Sequence, residues 1–229
     1  MAPDYDLYLT NEKFSYKPFT GPLEETLPVL KAEKRTILSI QDILKKRLEH
    51  KLSDQQITSS WSDNCFVTSD VLIRAPYGDA KLVLDALNVL DFKYGDQTLG
   101  LRNLICETPY DSIEGVPFTK DDVKRYFNAN PLSKNEVKSN PIWKVLARDQ
   151  GLLDEYVDHV YKKVIDLNDL DNLIEGENML SVYGLDDRFF NNSTFVVLPW
   201  LIGQDTDTYK TGISVNIHLN EEHTIIGRL

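Results

Sequence analysis

ISVNIHLNEEHTIIGRL, residues 213–229, sets Ile213, Val215, Ile217 and Leu219 in alternation with Ser214, Asn216 and His218. Alternation with a period of two is the signature of a strand with one buried face. The following HTIIGRL reads as a second strand, so the stretch predicts an antiparallel hairpin of 213–219 with 223–229. Ile213, Val215, Ile217 and Ile225 would face the core, with Glu221 and Glu222 in solvent. Register then decides whether HLNEEH is a site, because a slip of one residue turns every side chain to the other face. A loop of Asn220, Glu221 and Glu222 sets Ile217 opposite Ile225 and turns His218 and His223 to opposite faces. A loop of the two glutamates alone sets both histidines on one face, near enough for a single metal ion. Two-residue hairpins favour glycine-containing turns, and Glu-Glu is a poor choice where positive φ is needed. The longer loop is therefore expected, and HLNEEH reads as the tip of a hairpin.

Upstream, MLSVYG (179–184) and STFVVLPWLIG (193–203) have the same strand texture. With GISVNIHL and HTIIGRL they are expected to form sequential antiparallel strands. LNDLDNLIEGEN, 167–178, is an acidic connector. Residues 119–165 read as helices. Thr119 with Asp122 and Ser133 with Glu136 are capping boxes, and Asn140 before Pro141 is an N-cap followed by proline at the first helical position. Leu153, Tyr156, Val157, Val160 and Val164 form one apolar stripe.

Towards the N-terminus, residues 36–50 read as an amphipathic helix, and DYDLYL (4–9), CFVTSDVLIRAP (65–76) and TLGLRNLICE (98–107) as strands. FTGPLEETLP, 19–28, reads as a loop. Asp79 is expected to cap a helix lined by Leu82, Val83, Ala86, Leu87 and Leu90. The pattern predicts a single α+β domain over residues 1–229. It would have a mainly antiparallel sheet with helices packed on it, and residues 119–165 as a helical subdomain or insertion between the N- and C-terminal sheet parts.

The composition is that of a folded protein, with 229 residues of which 41% are hydrophobic and 27% charged. Lys and Arg number 25 against 36 Asp and Glu, a net charge of -11. Nucleic-acid affinity comes largely from cationic side chains that displace counterions, so no nucleic-acid partner is expected. No run of apolar residues is long enough to span a bilayer, so no membrane partner is expected either. The first residues lack a basic and an apolar signal region, and a cytoplasmic location is the expectation. Cys65 and Cys106 lie too far apart for a zinc ribbon or a redox dithiol, and free thiols are expected.

Few residues suggest chemistry. Cys65, in WSDNCFV, and His223 are candidates for a thiol dyad, since a thiolate and its imidazole can be remote in sequence. A buried structural cysteine at the start of a strand is the plainer reading. His218 with Asp205 and Asp207, from GQDTDTYKTG, are candidates for a metal site, although loop aspartates are commonly just solvated. Glu155 and His159 are four apart on a helix, off the apolar stripe, on a charged face. Residues 166–177 fail the calcium-loop pattern, with Leu170 and Asp171 where a ligand and a glycine are needed. RAPYGDA (74–80) lacks a phosphate-loop fingerprint, and Trp61, Trp143 and Trp200 read as core. No cofactor is expected. The sequence points to a non-catalytic domain that binds another protein or assembles with itself. The alternative is a hydrolase using Cys65 and His223, or a metal held by His218 and the loop carboxylates.

Overall fold

Ile225 and Ile226 are neighbours in sequence, yet both are buried. Successive side chains of a strand point to opposite faces, so this strand must lie in a sheet covered on both sides. The computed structural model describes residues 9, 15–50, 55–89, 110–128, 130, 132–168, 180–183, 195–202, 211–216 and 223–229. Among them Ile225 packs with Phe19, Leu23, Leu27, Leu30, Val67 and Ile73 in one core. Ile226 belongs to a second core with Ile43, Trp61, Phe66, Trp143 and Tyr156. Phe66 and Val67 divide in the same way, as do Leu72 and Ile73. The continuous apolar pairs FV, LI and II are thus residues of strands buried on both faces.

The chain forms β1 (Tyr16–Gly21), α1 (Leu23–Ala32), β2 (Thr36–Ile37), α2 (Ile40–Glu49), α3 (Gln55–Ser62), β3 (Phe66–Val67), β4 (Val71–Arg74), β5 (Ala80–Val83) and α4 (Ala86–Val89). After a 3-10 turn at Tyr110–Ser112 come β6 (Val116–Phe118), α5 (Lys120–Tyr126), α6 (Lys134–Ser139), α7 (Pro141–Ala147) and α8 (Gln150–Asn168). Then follow β7 (Leu180–Tyr183), β8 (Phe195–Ile202), β9 (Thr211–Asn216) and β10 (His223–Arg228). The fold is α+β, with a mainly antiparallel sheet, helices packed on it, and the helical segment α5–α8 between its N- and C-terminal parts. The strand order is β1-β10-β3-β8-β4-β5-β6, with β2 on β10 and β9 joining β8 to β7. Pro18 and Pro117 lie in β1 and β6, the two ends of that order, where a missing N–H is tolerated and blunts the edge.

Among the described residues the terminal hairpin does not form. β9 has β8 antiparallel on one side and β7 parallel on the other. β10 pairs along its whole length with β1, while β2 and β3 take its other side. Residues 212–214 of β9 and Ile225, Gly227 and Arg228 of β10 have partners on both edges, so β9 and β10 do not pair there. The four C-terminal strands are therefore not a run of sequential antiparallel neighbours, and the β7–β9 and β3–β10 contacts are parallel. Ile213 and Ile225 are buried as expected. Ile217, His218 and Leu219 and the two glutamates lie outside the described residues. Gly212 permits the β7–β9 contact, since a Cβ there would sit 2.4 Å from the Ser181 carbonyl oxygen.

Two N-terminal expectations also change. Residues 19–28 are the end of β1 and most of α1, a helix that accommodates Pro28 inside it. Residues 80–83 are not helix but β5, whose alternating burial of Ala80 and Leu82 against Lys81 and Val83 has a period of two. A turn at 75–79 joins β5 to β4. Asp79 caps no helix there; its Oδ1 instead accepts at 2.7 Å from the Lys120 N–H in the first turn of α5, whose N-cap is Thr119. The strands expected at 4–9 and 98–107 fall outside the described residues, apart from buried Leu9.

The helical segment follows its local signals. Both capping boxes form, at Thr119 with Asp122 and Ser133 with Glu136. The side chain of Asn140 accepts from the N–H groups of Ile142 at 2.9 Å and Trp143 at 3.2 Å. Asn140 is buried, so water cannot replace these bonds. Asn140→Ala is expected to lower stability by about 1–2 kcal/mol, the upper part of the range for a lost N-cap, measured by urea unfolding.

Candidate functional site

β8 changes partners halfway along one edge. Leu201 and Trp200 pair with Phe66 and Val67 of β3, and Val197, Val196 and Phe195 pair with Leu72, Ile73 and Arg74 of β4. Residues 68–71 therefore face only Leu198 and Pro199. Pro199 has no N–H to donate to a neighbour, which suits it to the point where the ladder breaks. The extra residues bulge out of the sheet, and bulges of this kind often re-aim side chains near functional sites. Here they carry Thr68, Ser69 and Asp70, all fully buried.

Asp70 organises a polar centre inside the fold. Its Oδ2 accepts from the Ile40 N–H at 3.0 Å, at the start of α2, where a negative charge is favoured by the helix dipole. Its Oδ1 accepts from the Asp85 N–H at 3.0 Å and from Arg148 Nη2 at 2.5 Å. Arg148 Nη1 donates to Asp85 Oδ2 at 2.5 Å, and Ser69 Oγ lies 3.0 Å from Asp85 Oδ1. One guanidinium thus bridges two carboxylates. Asp85 and Arg148 both have left-handed backbones, at φ 54° and 59°. For residues other than glycine such conformations persist only where surrounding interactions impose them.

The electrostatics follow burial first and pairing second. Burial pushes the Asp70 carboxyl above its ordinary range, against the pull of the Asp85 N–H, the Arg148 charge and the Ile40 N–H. Burial also acts to raise Asp85, but its ion pair with Arg148 prevails and holds it below the usual carboxylate range. Burial opposes the charge on Arg148, and the two carboxylates outweigh it and raise its pKa. A further ion pair, Arg228 Nη1 to Asp42 Oδ1 at 3.2 Å, joins β10 to the first turn of α2. The two terminal nitrogens of Arg148 are engaged with the carboxylates, whereas its buried Nε has no hydrogen-bond partner among the described residues. The arrangement fastens the bulge, α2, the β5–α4 junction and the α7–α8 junction together.

The sequence-derived candidates are placed unevenly. Cys65 is an exposed free thiol just before β3, which corrects the expectation of a buried structural cysteine. Its turn is held by buried Arg47, which donates to the carbonyls of Trp61 at 2.9 Å and Asn64 at 3.1 Å and to Tyr156 Oη at 3.0 Å. His223 begins β10, and the parallel pairing of Ile225 with Val67 brings β3 and β10 side by side. Cys65 and His223 each stand two residues before that pair, so the topology brings their backbones to neighbouring strand starts. His218, Asp205 and Asp207 lie outside the described residues. Among the described residues, no three His, Cys, Asp or Glu side chains form a group able to hold a metal ion. Likewise, no helix there is long and apolar enough to cross a membrane.

Sequence reasoning did not find the Asp70–Arg148–Asp85 centre. Its members are separated by 78 and 63 positions. The available signal was Thr-Ser-Asp interrupting the apolar strand CFVTSDVLIR, which marks a departure from regular pairing.

The architecture of strands and helices has a counterpart among solved structures, one described as "Accommodation of massive sequence variation in Nanoarchaeota by the C-type lectin fold". The likeness has a TM-score of 0.59 at 10% identity and covers 93% of this chain and 97% of that chain. The chain therefore has the C-type lectin fold. Neither a protein-family model nor a curated protein matches the sequence.

Proposed function

We propose that this chain is a non-catalytic binding domain, one α+β unit in the cytoplasm that engages another protein or a second copy of itself. The observation that carries this reading is the likeness along nearly the whole chain to a C-type lectin fold described as accommodating massive sequence variation. A framework that keeps its form while its residues change suits recognition, where surface positions must vary without unfolding the scaffold. The buried centre supports the reading, because its charges are spent on fastening the framework. The net charge of -11 favours a protein partner over nucleic acid. The test combines light scattering on the purified chain through the micromolar range with cross-linking of the tagged chain in extracts of its own source. A concentration-dependent dimer, or one stoichiometric partner whose binding saturates, is expected. A chain that stays monomeric and finds no saturable partner would overturn the reading.

A second reading, a thiol hydrolase, is favoured by one observation, the placement of the exposed Cys65 and of the backbone of His223 at the starts of adjacent parallel strands. In such a dyad the imidazole takes the thiol proton, the thiolate adds to an acyl carbon and expels its leaving group, which takes the proton back from the imidazole, and water then hydrolyses the acyl-enzyme. The rate of Cys65 alkylation by iodoacetamide, followed by peptide mass spectrometry, separates the two readings. For a binding domain, His223→Asn leaves that rate unchanged below neutral pH. A large fall in the variant would establish the dyad. The metal version rests on His218, Asp205 and Asp207 and has no described geometry behind it.

A further inference from the structure

We draw no further inference here: the strongest candidate, the exposed aromatic tip formed by Tyr77 at the turn between β4 and β5, carries nothing because nothing in the structure shows what covers it.

Discussion

Replacing Arg148 with methionine is expected to destabilise the fold by about 3–5 kcal/mol, the range for removing one partner of a buried ion pair. Methionine keeps much of the side-chain volume, so the loss is that of charge and hydrogen bonds. What makes it large is Asp70, which has no exposed surface and would be left as a buried carboxylate without its cation. The pair with Asp85 contributes less, because the Asp85 side chain is 37% exposed and water screens it. Urea unfolding of two variants beside the unaltered chain tests this division. Arg148→Met should be the least stable. Asp70→Asn combined with Arg148→Met should recover part of the loss, since the orphaned charge is gone. If the double variant is no more stable than Arg148→Met, the orphaned Asp70 charge is not the source of the loss.

The same centre sets a pH dependence of two signs. Asp70 has a folded pKa above its unfolded value, so its contribution to stability is present below the unfolded value and is lost as pH rises through the folded one. Asp85 is shifted the other way. Its contribution is present above the unfolded value and is lost as pH falls through the folded one. On acidification the Asp70 gain comes first and the Asp85 loss follows at lower pH. Asp70→Asn should abolish the first and leave the second, which unfolding curves collected from neutral to acid pH will show.

What the sequence made legible is what local chemistry decides. The caps at Thr119, Ser133 and Asn140 need only residues within one helical turn, and all three form. The α+β class follows from periodicity and was likewise readable. Strand partners were not, because β10 takes β1 from the far end of the chain and β3 from the middle. Alternation in ISVNIHL says that a strand exists and nothing about which edge it meets. The adjacent isoleucines at 225 and 226 held a clue, since a hairpin with one buried face has no place for both. Residues 80–83 show the opposite ambiguity. Leu82, Val83, Ala86 and Leu87 fit a helical stripe, but the tight turn after Arg74 returns the chain along β4 and the strand prevails. The Asp70 centre depends on such long-range pairings, so it could not be read before the sheet order was known. Cys65 and His223 were named from residue type alone, and only the strand order brings their backbones together.

Trp61→Ala is the second large effect expected, a loss of about 3–5 kcal/mol from the cavity it leaves. Trp61 is fully buried in α3. It meets Tyr16 and Phe66 edge to face, each at 5.8 Å between ring centres, and stacks on His50 at 6.2 Å. Its ring thus joins β1, β3 and the end of α2, elements drawn together from a long stretch of chain. Its indole Nε1–H also donates to the Leu9 carbonyl at 2.8 Å, and its own carbonyl accepts from Arg47. Trp61→Phe separates these roles. Phenylalanine keeps an aromatic ring in the core but removes the donor to Leu9, so a smaller loss of about 1–3 kcal/mol is expected. Hydrogen exchange near Leu9 should rise in both variants, because both lack the donor, whereas exchange in α2 and β3 should rise strongly only in Trp61→Ala. Equal losses in the two variants would make the bond to Leu9, rather than the packing of the ring, the interaction that holds these elements together.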